Sequence, residues 1–390
     1  MRRTAWMRLV CGRYDRAMIR RKTVRINLRL PPVVRLSRLL LALPLLAACA
    51  GGPSRTDAAH LVAWRAHAAD RRLVPPDLTW TLTDGARMPV RAWLPPPGRT
   101  RAVVLALHGF NDSRDAWELA GPALAGQGIA VFAPDQRGFG AAPGRGRWPG
   151  TDRLVDDAAQ MARLAAVAEP GLPLYVMGES MGGAVALCLA ARSDHPVFAG
   201  VVLLAPAVWS STQMSPLLTA SLWAASTFTP DWSLTGREVS LHVVASDNLA
   251  ALYRLSYDPL TLVGSRTTAL RGLVQLMTQA AGDASSVRGR VLIAYGAHDD
   301  LVPAAAMAAT WRRLPALVRR AYYPRGYHLL MRDMGRASVI GDVVSWIQDP
   351  DRALPSGADV AAAAWTAGAG WETRVPLLLP AGLDGLAGGG

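Results

Sequence analysis

Leu174-Tyr175-Val176-Met177-Gly178-Glu179-Ser180-Met181-Gly182-Gly183-Ala184-Val185-Ala186-Leu187 is the stretch that decides how this chain of 390 residues folds. It opens with an unbroken apolar run, as a strand buried on both faces requires. It closes with an Ala-rich run of good helix formers. Between them Gly178-Glu179-Ser180-Met181-Gly182 fits G-x-S-x-G. A serine at a sharp strand-to-helix turn takes a strained backbone, and neighbouring side chains would collide. Glycines two residues before and two after remove those collisions. The Ser180 hydroxyl then stands clear of the sheet at the positive end of the helix.

The same strand–helix alternation runs outward in both directions. Thr79–Thr83 and Val90–Leu94 read as paired strands around Asp84-Gly85, and Ala102–Leu107 as a buried strand. A helix over Asp115–Gln127, a strand at Ile129–Ala133 and a helix over Asp152–Ala168 lead to the elbow. Gly200–Ala205 is the next strand. The rhythm stops from Pro206 to about Val287, where Trp209, Met214, Leu217, Leu218, Leu222, Trp223, Phe228 and Trp232 cluster without strand periodicity. It resumes with a strand at Val291–Tyr295, a helix at Ala304–Leu314, a strand at Arg320–Tyr323 and a helix at Ala337–Ile347. This pattern predicts an α/β class with a mostly parallel central sheet flanked by helices and an inserted helical cap. The expected segments are 49–75 as linker, 76–208 and 286–350 as the two parts of the core, and 209–285 as the cap. Residues 351–390, rich in Ala, Gly and Pro, are expected to be a low-complexity, disordered tail.

A serine hydroxyl is a weak nucleophile and needs a base oriented by an acid. In chains built on this elbow the order is Ser, acid, His. His328, in Gly326-Tyr327-His328-Leu329, follows the last expected strand and is the candidate base. His195, in a turn after the elbow helix, and His242, in the insert, read as surface or capping histidines. Asp299 and Asp300 both follow the strand at Val291–Tyr295 and compete for the role of acid. For the developing oxyanion, the backbone N–H of Met181 is one expected donor and that of Phe110, in His108-Gly109-Phe110, the other. His108 stands too early in the chain to be the base and is expected to brace that loop. Cys188 reads as a small core residue.

Net charge is +13, but residues 1–48 hold twelve Arg or Lys against Asp15 alone, eleven of those charges. The body is nearly balanced and has no field to attract a nucleic acid. The basic stretch runs into Leu39-Leu40-Leu41-Ala42-Leu43-Pro44-Leu45-Leu46, too short to span a bilayer and the length of a signal-peptide core. It ends in Leu46-Ala47-Ala48-Cys49, which resembles the bacterial lipobox. Residues 1–48 are therefore expected to be a lipoprotein signal peptide, starting at Met1 or Met18. Lipidated Cys49 would anchor the protein in the cell envelope, at the outer membrane of a Gram-negative host.

Taken together, His108-Gly109-Phe110, Phe132 through Gly140, Gly178 through Gly183, Gly296 through Pro303 and Gly326-Tyr327-His328 resemble the monoacylglycerol-lipase and lysophospholipase branch of the α/β-hydrolases, also called the serine aminopeptidase S33 group. The resemblance spans about residues 76–350. It implies that Asp299, four residues before Pro303 in D-x-x-V-P, is the acid, and that Ser246-Asp247-Asn248 and Asp258-Pro259-Leu260 belong to a helical cap. One departure is Ala141, where the family usually carries Ser. The implied activity is hydrolysis of lipidic carboxylic esters with no cofactor or metal. A peptidase, amidase or acyltransferase on the same residues is the alternative within enzymes. A non-catalytic envelope lipoprotein is the alternative outside them.

Overall fold

The computed structural model describes residues 73–235 and 243–368. The expected signal peptide, Cys49, the linker up to residue 72 and His242 lie outside the described residues. The first strands are β1 (Leu78–Thr81), β2 (Arg87–Trp93) and β3 (Ala102–Leu107), followed by helix α1 (Ala120–Gly126) and β4 (Ile129–Pro134). Then come α2 (Thr151–Ala168), β5 (Leu174–Glu179), α3 (Met181–Ala191) and β6 (Gly200–Leu204). The insert holds α4 (Pro216–Phe228), β7 (Ser233–Thr235), α5 (Leu249–Tyr257), β8 (Gly264–Arg266) and α6 (Thr267–Asp283). The core resumes with β9 (Val291–Gly296), α7 (Ala304–Arg313), β10 (Arg319–Tyr323) and α8 (Arg336–Gln348), and ends with α9 (Ala358–Thr366).

Eight strands form one sheet in the order β1-β2-β4-β3-β5-β6-β9-β10. β1 and β2 pair antiparallel, as do β2 and β4, and every other pairing is parallel. Every residue of β3, β4, β5, β6 and β9 is buried. Their side chains alternate between two cores, as the two-residue period of a strand dictates. Val103, Leu105 and Leu107 join Leu154, Ala158 and Val185 from α2 and α3. Val104 and Ala106 join Leu124, Val339 and Val343 from α1 and α8 on the opposite face. Each such Val or Leu contributes roughly 1.5–3 kcal/mol on burial. Because these strands are parallel, the loops after β3, β5, β9 and β10 emerge at the same edge, where open α/β sheets place their sites.

Three local expectations are corrected. The helix over Asp115–Gln127 is a 3-10 turn at Arg114–Trp117 followed by α1. Pro122 has no N–H to continue a helix from Glu118. The cap is not wholly helical, since β7 and β8 form a small antiparallel ladder across it. The tail begins later than residue 351. Leu354 is buried and α9 packs on β10. Trp365 stacks on Tyr322 at 5.1 Å and meets Trp311 edge-on at 4.8 Å. Asp359 pairs with Arg319 at 3.2 Å. An alanine-rich segment is a good helix former, and Ala358, Ala362 and Trp365 give it an apolar face to dock. Residues 369–390 lie outside the described residues.

Candidate active site

The turn after β5 has the strain that its glycines anticipate. Ser180 has φ 55° and ψ −115°. A Cβ on Gly178 would lie 2.2 Å from the Gly182 carbonyl oxygen, and one on Gly182 would lie 2.2 Å from that of Leu107. Hydrogen bonds hold the strained residue in place. Its N–H donates to Leu204 at 3.0 Å, and its carbonyl accepts from Ala184 at 3.0 Å and Ala207 at 2.9 Å. Between residues 174 and 190, Ser180 alone is not fully buried.

His328 and Asp299 meet across the loops after β10 and β9. His328 Nδ1 lies 2.8 Å from Asp299 Oδ2. A carboxylate only accepts, so Nδ1 carries the proton and Nε2 is the basic nitrogen. The other oxygen, Oδ1, accepts the N–H groups of Leu301 and Val302, each at 2.9 Å. Backbone donors thus aim this carboxylate through the oxygen that the imidazole does not use. Burial opposes the imidazolium, but the Asp299 carboxylate, aided by Glu179 and Asp333, outweighs it and raises His328 above the ordinary histidine value. Asp300, next in sequence, is exposed and accepts Val244 N–H at 3.1 Å. It therefore neither caps α7 nor faces His328, and it braces the cap. The loops that carry Asp299 and His328 touch directly: a Cβ on Gly296 would lie 2.5 Å from the Gly326 backbone.

The loop after β3 flanks the serine. A Cβ on Gly109 would lie 3.4 Å from Ser180 Cβ. His108 is fully buried and both of its ring nitrogens are hydrogen-bonded. Nδ1–H donates to the Gly109 carbonyl at 2.8 Å, and Nε2 accepts the Gln136 N–H at 3.0 Å. Burial lowers its pKa, chiefly by desolvation, so the ring is neutral and keeps this tautomer. The Gly109 carbonyl and the Phe110 N–H are opposite ends of one trans peptide. Fixing the carbonyl therefore fixes the direction of the N–H, which is how His108 braces the loop. Asn111 takes the left-handed conformation, φ 63°, that asparagine tolerates. Its carbonyl accepts from Leu262 at 2.8 Å and its amide donates to Ser265 at 2.6 Å, both in the cap. Met181 is the first residue of α3, where an N–H has no partner within the helix.

The other histidine in question, His195, bonds Pro196 and stacks on Phe198 in a turn after α3. Ala141 donates its N–H to Asp135 at 2.8 Å, a contact that needs no side chain at that position.

A clasp between the cap and the histidine loop escaped the reading of the residues alone. Asp333 accepts Tyr327 N–H at 2.7 Å and Ser246 Oγ–H at 2.6 Å, and burial pushes its carboxyl up to about 6. Leu329 N–H donates to Ala245, Asn248 Nδ2 to the Arg332 carbonyl, and Met334 N–H to Asp247. Ser246-Asp247-Asn248 stood out as cap sequence, but nothing in it named a partner more than eighty residues away.

A strained serine at a strand–helix elbow, an Asp-oriented histidine and a braced N–H loop on one sheet edge define an α/β-hydrolase. The family model described as serine aminopeptidase, S33, matches residues 98–335. The monoacylglycerol lipase of Mycolicibacterium smegmatis is 28% identical over 270 residues, covering 67% of this chain and 93% of the relative. In fold, the monoglyceride lipase of Saccharomyces cerevisiae, a soluble variant, superposes with a TM-score of 0.59 at 20% identity over 71% of this chain and 96% of the other. The monoacylglycerol lipase of Paleococcus ferrophilus does so with a TM-score of 0.56 at 21% identity, over 67% and 98%. The chain belongs to the serine aminopeptidase S33 family. Within it the chain is a carboxylic ester hydrolase of the monoacylglycerol-lipase-like branch.

Proposed function

We propose that the chain cleaves monoacylglycerol- or lysophospholipid-type esters through an acyl-enzyme on Ser180. The observation that carries this reading is the buried His328–Asp299 pair at the edge where Ser180 emerges. His328 Nε2 takes the Ser180 proton as Oγ attacks the ester carbonyl. Asp299 steadies the resulting imidazolium, and the N–H groups of Phe110 and Met181 receive the oxyanion. The imidazolium then protonates the departing alcohol. Water, activated by the same histidine, releases the acid and restores Ser180.

Two observations favour a lipid ester. The relatives just described are named for monoacylglycerol or monoglyceride. In addition, no charged residue occurs from Pro196 to Pro230, and α4 in that span leaves Leu217, Trp223 and Phe228 at least half exposed. An uncharged surface that exposes large apolar side chains suits contact with lipid. On p-nitrophenyl esters, kcat/KM is expected to rise about three- to fourfold per added methylene until the acyl site is full. Monoacylglycerol or lysophospholipid should then outperform an aminoacyl p-nitroanilide. A flat series, a maximum at acetate, or preference for the anilide would overturn the lipid-ester reading.

We also propose that Cys49 carries the lipid that holds the enzyme at the cell envelope, with the outer membrane as its site in a Gram-negative host. The basic run, the short apolar run and Leu46-Ala47-Ala48-Cys49 support this. Among the described residues no helix is long and apolar enough to cross a membrane. Cys49→Ser is expected to move the protein from the membrane to the soluble fraction and to abolish palmitate incorporation. Unchanged fractionation and labelling would contradict the anchor.

A further inference from the structure

The histidine loop carries a second buried charge that the chemistry above does not use. Arg332, four residues after His328, is only 6% exposed. Its Nη2 donates to the carboxylate of Asp112, on the loop after β3. The same nitrogen lies 3.4 Å from Oε1 of Glu179, the residue just before Ser180. Asp112 and Glu179 are themselves buried, at 5% and 1% exposure. One guanidinium therefore touches the loop that offers the Phe110 N–H, the strand end that presents the nucleophile, and the loop that carries the base.

Taking three charged groups out of water is costly, and well-packed apolar residues commonly stabilise such a space as well or better. What they cannot supply is direction. One guanidinium nitrogen that donates to two carboxylates brings both to a common point, so it sets the spacing of whatever backbone carries them. Burial, against the pull of Arg332, raises the Glu179 carboxyl to about 7. Burial works against the Arg332 charge, but the Asp112 and Glu179 carboxylates beside it outweigh burial and hold it on. The Asn248 bond to the Arg332 carbonyl, 2.8 Å, fixes the backbone from which the arginine reaches inward.

We propose that Arg332 is a positioning residue for ester hydrolysis, setting the distance and angle between Ser180 and His328 by joining the elbow and the Phe110 loop to the histidine loop. The proposal rests on Ser180 as nucleophile and His328 as base. Its test compares Arg332→Met and Arg332→Lys with the parent enzyme on a p-nitrophenyl ester, with concentrations set by active-site titration. The second readout is the rate at which a fluorophosphonate phosphonylates Ser180. Misplacing reacting groups by about 1 Å costs on the order of 10²-fold. Arg332→Met is expected to lower kcat and the phosphonylation rate together by about that factor, with KM within about twofold. Arg332→Lys, which keeps the charge on a shorter side chain of different reach, should regain about a tenth of parental activity.

Normal kcat per titrated site in Arg332→Met would make the arginine merely structural and overturn the proposal. So would a raised KM at constant kcat, which marks contact with substrate. Should Arg332→Met not fold, Glu179→Gln and Asp112→Asn preserve shape. A fall in kcat and phosphonylation at constant KM in these variants supports the proposal, and parental kcat in both overturns it. Failure of the parent enzyme to react with the probe would remove the nucleophile assignment itself, whereas a labelled parent with unaffected variants removes only the role of Arg332.

Discussion

Asp299→Asn is expected to lower kcat by about 10⁴-fold with KM nearly unchanged, whereas Asp300→Asn should stay within about threefold of the parent. Both residues are acidic neighbours after the same strand, so the contrast tests orientation rather than charge. Asp299 offers one oxygen to Leu301 and Val302 and the other to His328 Nδ1. An amide placed there can keep the backbone bonds while turning its NH₂ toward the imidazole. Nδ1 would then have to accept, and the ring would present a protonated Nε2 to Ser180, the wrong tautomer for a base. Asp300 accepts the Val244 N–H of the cap instead.

The pH profile supplies a second readout of the same change. The base must be neutral, so kcat/KM falls as pH drops through the His328 pKa. In the parent that limb should lie above 6.5, because Asp299 and its neighbours outweigh burial. Without the carboxylate, burial is less opposed, and the limb should move to lower pH. Equal losses in the two variants, or a larger loss at Asp300, would contradict the assignment.

Ser180→Ala should remove about 10⁴- to 10⁶-fold of kcat, leaving the hydrolysis that binding and the N–H donors alone support. The strained backbone at this position gives alanine no advantage over serine, and the buried surroundings are unaltered. The expected variant is therefore folded and inert, so thermal unfolding near that of the parent is the control. Retention of more than about a hundredth of parental kcat would show that another residue performs the attack.

Much of this site could be read before its geometry was known, and the reason is local. Gly178, Ser180 and Gly182 sit within five residues, and their steric requirement is met inside the same turn. His328 was identifiable because it follows a strand. The choice between Asp299 and Asp300 was not legible from the residues themselves. It depends on which carboxylate the turn after β9 points inward, and only the family resemblance selected Asp299. Arg332, Asp112 and Glu179 were opaque for a related reason. Each is an ordinary charged residue, and their meeting depends on three loops far apart in sequence. Ser246 and Asp333, eighty-seven residues apart, repeat the point. Composition misled at the C-terminus, where Ala358–Thr366 reads as low complexity yet docks through Trp365.

Ser180 as the nucleophile is tested most directly by mass spectrometry after reaction with a fluorophosphonate. The expected result is one adduct per chain, mapped to the peptide containing Ser180 and absent from Ser180→Ala. Equal labelling of that variant, or an adduct on another residue of the parent, would contradict it.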